Sequence, residues 1–207
     1  MDRLLLSMNK KDQVKENIGK AAMECFVKFG LDKTTLDDIA KKIGLNKASL
    51  YYYYKNKEDI FLETAIKEGE DYIASLQSKA LLKKGIENQV WFYLESRFNY
   101  YINVLNMNSV SVESLNKILP RFFELYDAMM KQEIKFLSKI LKKAIQDGEI
   151  GKTNADNIAS VLIHISDALK HSLEQQAILK RETKIDYTVS LQNMRFLVSL
   201  IFKGLKK

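Results

Sequence analysis

Residues Thr34–Lys57 read TTLDDIAKKIGLNKASLYYYYKNK, and this stretch decides the fold. Thr34 and Thr35 each stand three residues before an acid, Asp37 and Asp38, the spacing at which a side chain caps a helix start. Leu36, Ile39, Ala40 and Ile43 recur at helical spacing and predict one short amphipathic helix. Gly44 predicts its end, because glycine enters the left-handed backbone without a Cβ clash. Asn46 is placed to cap a second helix from Lys47, with Leu50 as its buried anchor. Two short helices joined by a tight turn around a glycine match the helix-turn-helix unit, whose second helix enters the DNA major groove.

The run Tyr51–Tyr54 taken alone favours a strand. A helix anchored by Leu50 instead sends these rings in different directions, one into the core and others toward a phosphate. Lys55-Asn56-Lys57 then leads into Glu58-Asp59, so Asn56 caps a further helix. That helix start, with free N–H groups, a positive dipole end and Lys57 beside it, reads as a phosphate site.

The order T-x-x-x-I-A-x-x-x-G-x-x-x-x-x-L-Y-x-Y-Y-x-N-K, standing as Thr35 to Lys57, resembles the DNA-binding head of the TetR family of bacterial transcriptional regulators. The resemblance covers roughly Asp12 to Phe61, with Gly44, Leu50, Tyr51 and Lys57 in register. Tyr54 departs from it, since the family more often carries an aliphatic residue or Phe there. Beyond the head only length and all-helical character match. The resemblance implies a homodimer that binds a pseudo-palindromic stretch of double-stranded DNA and answers to a small-molecule effector.

Composition agrees with an all-α chain. A single proline and 8 glycines leave little material for turns, which favours long helices. The net charge of +7 is uneven: +5 falls on residues 1–57, so a basic head for DNA sits on a near-neutral body. The expected division is a helix-turn-helix domain, 1–57, and a helical ligand-binding and dimerisation domain, 58–207, with about nine helices in all. Cys25 stands alone, which excludes a disulfide framework or cysteine-based zinc site within one chain. The leucines of Met1–Met8 are too few for a secretory core and no later run reaches membrane length, so a soluble, cytoplasmic protein is expected.

Outward from the central stretch, Val14, Ile18, Ala22, Cys25, Phe26 and Phe29 predict a scaffolding helix over Lys10–Phe29, preceded by a flexible arm. Lys10, Lys11 and Lys15 near its start are candidate phosphate contacts, against a plain solvated surface. Helices follow over Lys57–Ala80 and Ile86–Leu105, with Asn106–Val112 as a loop. A short helix over Glu113–Leu119 is predicted to end before Pro120, which opens a new one, Arg121–Gln146. The last two run from about Asn154 to Lys180 and from Ile185 to Phe202.

Within the head, Thr35, Tyr51 and Lys57 are expected to position the protein on phosphates. Asn46, Lys47 and Ser49 begin the second helix, where Lys47 suits guanine acceptors and Asn46 suits adenine. Tyr52 and Tyr53 reach sugar-phosphate or a thymine methyl. In the body, Trp91, Tyr93, Phe98, Phe122, Tyr126 and Met129, with the polar His164 and Asp167, are the candidate lining of a pocket for a hydrophobic or amphipathic compound. Aromatic stripes at helical spacing are more often plain core. His164, Asp167 and His171 share a helix face at metal-ligand spacing, although such residues more often settle at packed interfaces. No metal or other cofactor is expected. Ile165, Leu169 and Leu173 with Phe196 and Leu200 are the candidate dimer face, a four-helix bundle from two chains, unless both helices pack only within their own.

No Gly-rich phosphate loop, nucleophile signature or catalytic carboxylate pair stands in the chain, so an enzyme is not expected. Two alternatives share the fold: a DNA-binding regulator without an inducer, and a lipid-binding or enzymatic protein.

Overall fold

The computed structural model describes residues 2–206, with side chains described from Lys10 onward, and is all-α among them. Eight helices follow in order: α1 (Asp2–Phe29), α2 (Leu36–Lys42), α3 (Lys47–Tyr53), α4 (Lys57–Ala80), α5 (Ile86–Met107), α6 (Val112–Gln146), α7 (Ala155–Lys180) and α8 (Thr188–Leu205). The flexible arm expected ahead of Lys10 is instead part of α1, whose backbone is helical from Asp2.

The predicted caps form. Thr35 Oγ1 accepts from the Asp38 N–H at 3.2 Å, while the Asp38 carboxylate accepts from the Thr35 N–H at 2.9 Å, a reciprocal capping box on α2. Thr34 takes another role: it is buried, and its hydroxyl donates to the Gly30 carbonyl at 2.8 Å. Gly44 adopts φ +69°, where any other residue would be strained. Asn46 Oδ1 caps α3 through the Ser49 N–H at 2.8 Å, and Asn56 Oδ1 caps α4 through the Asp59 N–H at 2.7 Å.

The first compact unit comprises the chain up to Gly69 together with Asn103–Leu125. The head therefore takes more chain than residues 1–57. Ile60, Phe61 and Leu62 of α4 and Ile118 of α6 close the core that Ile18, Phe26, Ile39 and Leu50 begin. Gly19 of α1 lies so close to α4 that a Cβ there would stand 2.5 Å from Thr64 Oγ1, so only glycine fits without a shift.

The second unit comprises Glu70–Ile102 and Tyr126–Lys207. Val90, Tyr93 and Leu94 of α5, Leu137 and Leu141 of α6, Ile163 of α7 and Phe202 of α8 are buried in its core. α7 ends at Arg181 in the left-handed conformation (φ 54°), and α8 packs back on α7, with Ser190 Oγ donating to the Leu169 carbonyl at 2.7 Å.

Two further boundaries differ from expectation. Pro120 lies inside α6 rather than opening a helix, so the described residues form eight helices instead of about nine. The stripe Leu115, Ile118, Leu119, Phe122, Tyr126, buried except for the half-buried Phe122, keeps helical spacing straight through it, while Pro120 and Asn116 are exposed. The one hydrogen bond that proline forfeits is thus lost on the side open to water, and burial of the stripe outweighs it. α8 begins at Thr188, not Ile185, because the Asp186 carboxylate accepts from the Thr188 N–H at 2.9 Å and fixes the start there.

Candidate nucleic-acid interface and the polar core of the body

The caps and Leu50 fix which side of α3 faces outward. Lys47, Tyr51 and Tyr52 are exposed, and so is Ala48, which the sequence reading did not single out. Tyr53 is half-buried against the head core, and Tyr54 is the tyrosine that enters it. Cations gather on the outer rings: Lys47 Nζ lies 5.9 Å from the Tyr51 ring centre and Lys11 Nζ 5.4 Å from that of Tyr52. The face is thus a row of aromatic rings with ammonium groups over them, suited to a sugar-phosphate backbone.

Other candidates are placed differently. Thr35 is the exposed N-cap of α2, and Ser49 is half-buried in the first turn of α3, where its N–H donates to the Asn46 cap. Asn46 gives its carbonyl oxygen to the α3 cap, so the bidentate adenine contact expected of it would have to break that cap. Lys15 is paired with Glu63 at 2.8 Å and sits over the Tyr54 ring, which commits it to packing α1 on α4. Lys57 donates from Nζ to the carbonyls of Leu31, Asp32 and Thr34 at 2.6, 2.8 and 3.0 Å. Cys25 is buried in the head core, where loss of hydration raises its thiol pKa.

In the body, the side chains expected to line a pocket divide. Tyr93, Tyr126 and Asp167 do come together, but around buried charges. Arg97 donates from Nε to Glu133 Oε1 at 2.7 Å and from one terminal nitrogen to both Asp167 oxygens at 2.9 Å. Tyr93 donates to Glu133 Oε1 at 2.8 Å, and Tyr126, itself an acceptor from Arg97, donates to Glu133 Oε2. Lys170 is buried beside Asp167 at 3.2 Å, with its ammonium 3.9 Å from the Tyr101 ring centre. Glu174 accepts from Tyr101 at 2.7 Å and Tyr187 at 2.9 Å. Polar residues thus fill the centre where an apolar cavity was expected. Arg97 is not among the pocket candidates of the sequence, because nothing at that level tells a buried arginine from an exposed one.

The remaining pocket candidates lie elsewhere. Phe122 packs against the core of the first unit. His164 is exposed, with Nδ1 2.7 Å from the Ser160 carbonyl, so it lines no interior site. Phe98 is buried edge-on to Tyr187, Trp91 lies under the Arg195 guanidinium, and Met129 is half-buried against the body core. His171 turns to Glu174 while Asp167 turns to Arg97, so the three residues at metal spacing do not converge. Among the described residues no cluster of three or more His, Cys, Asp or Glu is placed to hold a metal. A groove of about 620 Å³ does open in this unit, with Ala74, Leu81, Phe136 and Ile140 as apolar walls and Gln77, Gln89 and Lys139 as polar ones.

Burial alone would raise the Asp167 carboxyl, but Lys170 and Arg97 outweigh it and hold its pKa below the usual carboxylate range. A depressed pKa contributes stability that is present above the unfolded value, about 3.9, and lost as pH falls toward the folded one. Asp167→Asn should therefore destabilise most near neutrality and progressively less below about pH 4. Urea unfolding of both proteins across that range tests this, and a gap that does not narrow would remove Asp167 from the acid response.

Of the candidate dimer residues, Phe196 and Leu200 are exposed on α8, at 66% and 54%, so large apolar side chains face away from the core. Ile165 is half-buried on α7, below the exposed Val161. Leu169 and Leu173 instead pack against the body core. Among the described residues no helix is long and apolar enough to cross a membrane.

Comparison with known proteins agrees with this architecture. A model of the family described as "Bacterial regulatory proteins, tetR family" matches residues 18–64. The biofilm operon regulator IcaR of Staphylococcus epidermidis is 33% identical over 115 residues, spanning 54% of this chain and 44% of that protein. IcaR of Staphylococcus aureus is 27% identical across 86% of this chain and 92% of its own length. QacR, an HTH-type transcriptional regulator of the same species, is 25% identical across 73% and 89%. In fold, the chain is similar to a transcriptional regulator from Cytophaga hutchinsonii, with TM-score 0.73 and 23% identity over 92% of this chain and 97% of that one. The capped helix-turn-helix, the match over residues 18–64 and these relatives agree: the chain is similar, in its head and in its all-α fold, to the TetR family of bacterial transcriptional regulators.

Proposed function

We propose that the protein is a homodimeric, sequence-specific repressor that binds a pseudo-palindromic duplex and is released by a hydrophobic or amphipathic small molecule. The carrying observation is the outer face of α3, where capping and Leu50 hold Lys47, Tyr51 and Tyr52 toward solvent on a basic head. IcaR is named a negative regulator, which supports repression here. A dimer would hold two such helices about one DNA turn apart (~34–36 Å) or a multiple of that. The effector would occupy the groove walled by Ala74 and Phe136, whose volume suits a small molecule. Release then requires a coupling of only ~1–3 kcal/mol between groove and head, equivalent to about 5–150-fold in DNA affinity.

The test is fluorescence anisotropy with labelled duplexes. Lys47→Ala and Tyr51→Ala, both at exposed positions, should each weaken binding by ~1–3 kcal/mol. Unchanged binding in both would remove α3 as the reading helix. A second reading, a regulator with no inducer, draws on the mutually satisfied Arg97–Glu133–Asp167 cluster that fills the body's centre. Failure of a panel of amphipathic compounds to shift duplex affinity would favour it.

A further inference from the structure

The groove of about 620 Å³ takes two parallel lines of side chains from α6. Phe136, Ile140 and Ala144 recur every four residues as an apolar line, and Lys139, Lys143 and Asp147 recur at the same interval as a charged one. Ile140 and Ala144 are buried and Phe136 is half-buried, while Leu81, which lines the groove just past the end of α4, is left 54% exposed.

Most of the polar lining is already engaged. Ser78 donates to the Ala74 carbonyl at 3.4 Å and Gln89 to the Lys83 carbonyl at 3.0 Å. Lys143 and Asp147 pair at 2.8 Å and cancel each other's charge. Glu149 accepts from the Ile86 N–H at 2.5 Å, which spends its charge at the positive end of α5. Lys139 is exposed, and among the described residues it enters no hydrogen bond or ion pair. The groove therefore offers an apolar line and, beside it, one ammonium without a counter-charge.

We infer that the groove binds a single-chain amphiphile with a carboxylate head, the head on Lys139 and the chain along Phe136, Ile140 and Leu81. This rests on the proposed reading of the groove as the effector site and adds the sign and size of the effector's charge. A neutral head would leave the ammonium unanswered, and a cationic head would meet like charge there. One ammonium balances the single charge of a carboxylate, whereas a phosphate monoester carries about −1.5 to −2 at pH 7.

Calorimetric titration of the full chain at neutral pH tests this with four ligands of equal chain length: decanoate, decyl phosphate, 1-decanol and decyltrimethylammonium, each below micelle formation. Decanoate is expected to bind about fivefold more tightly than decanol, near the most that an ion pair open to water adds, and the advantage should shrink as salt rises. Decyl phosphate should bind no more tightly than decanoate. Lys139→Met should abolish the advantage of decanoate while decanol binding holds, and Lys139→Glu should make the cation the preferred ligand over decanoate. Both changes fall at an exposed position, and a thermal melt of each checks the fold. Leu81→Asn should weaken all four ligands together, which locates the chain in the groove.

Equal affinity for decanoate and decanol, tighter binding of decyl phosphate, or a wild-type preference for the cation overturns the inference while leaving the groove as a site. A decanoate advantage that survives Lys139→Met places the head elsewhere and overturns it as well. If none of the four ligands binds, the groove reading fails and this inference with it. Decanoate that binds through Lys139 yet leaves duplex affinity unchanged upholds the inference and removes only the proposed release from DNA.

Discussion

Replacing Arg97 with methionine is expected to destabilise the protein by about 3–5 kcal/mol, the usual result of removing one partner from a buried charge cluster. Arg97 is 7% exposed and Glu133 not at all, so water cannot take over the lost interaction. The variant would leave the Glu133 and Asp167 carboxylates buried with Lys170 beside only one of them. Tyr126 and Ser166 would also lose a donor. For a chain of this length each kcal/mol moves the melting temperature by about 2–4 °C, so a fall near 10 °C is the readout. Adding Glu133→Gln to Arg97→Met should restore part of the loss, because the carboxylate that lost its cation is then gone. A fall below ~1 kcal/mol would mean that the cluster is hydrated in solution and contributes as a surface pair does.

The second large effect concerns assembly. If the protein dimerises as proposed, Phe196→Glu is expected to leave it monomeric at micromolar concentration and to weaken binding to a two-half-site duplex by about 10²–10⁴-fold, the loss of one of two linked contacts. Phe196 is 66% exposed in the single chain, so the substitution costs little there and its effect falls on whatever covers the ring. Leu200 and Val189 of the same helix are also exposed, so Phe196 is one of three large apolar side chains that α8 leaves open to a partner. Sedimentation and duplex titration read the two consequences together. A Phe196→Glu protein that remains dimeric would place the interface elsewhere, and a wild-type monomer would remove the two-half-site mechanism itself.

Much of the head was legible in the sequence because its determinants are local. A threonine three residues before an aspartate, an asparagine before Lys47, a glycine at φ +69° and a leucine at helical phase each act within one turn of chain, and each stands where the pattern put it. Pro120 was misread for the opposite reason. Local chemistry says a helix should break there, yet the buried stripe on either side keeps one phase, and only packing reveals that the stripe wins.

The body divides along the same line. Apart from the joined α6 and the start of α8, its helices followed from periodicity, since the period of apolar residues is a property of the chain alone. What fills the centre did not. Tyr93, Tyr126 and Asp167 looked like a pocket lining because an aromatic or acidic side chain reads the same whether it faces a cavity, a salt bridge or solvent. Arg97, one turn along α5 from Tyr93 and from a different helix than Tyr126 and Asp167, makes them a polar core, while Phe122 and His164, equally plausible by sequence, turn to another core and to water. Lys57 teaches the same lesson at the head. The sequence determined that a lysine opens α4, and only the tertiary structure decided that its ammonium turns inward to three carbonyls 23–26 residues earlier. Caps, turns and periodicity depend on neighbours a few residues away, whereas the destination of a long charged side chain depends on groups that folding alone brings within reach.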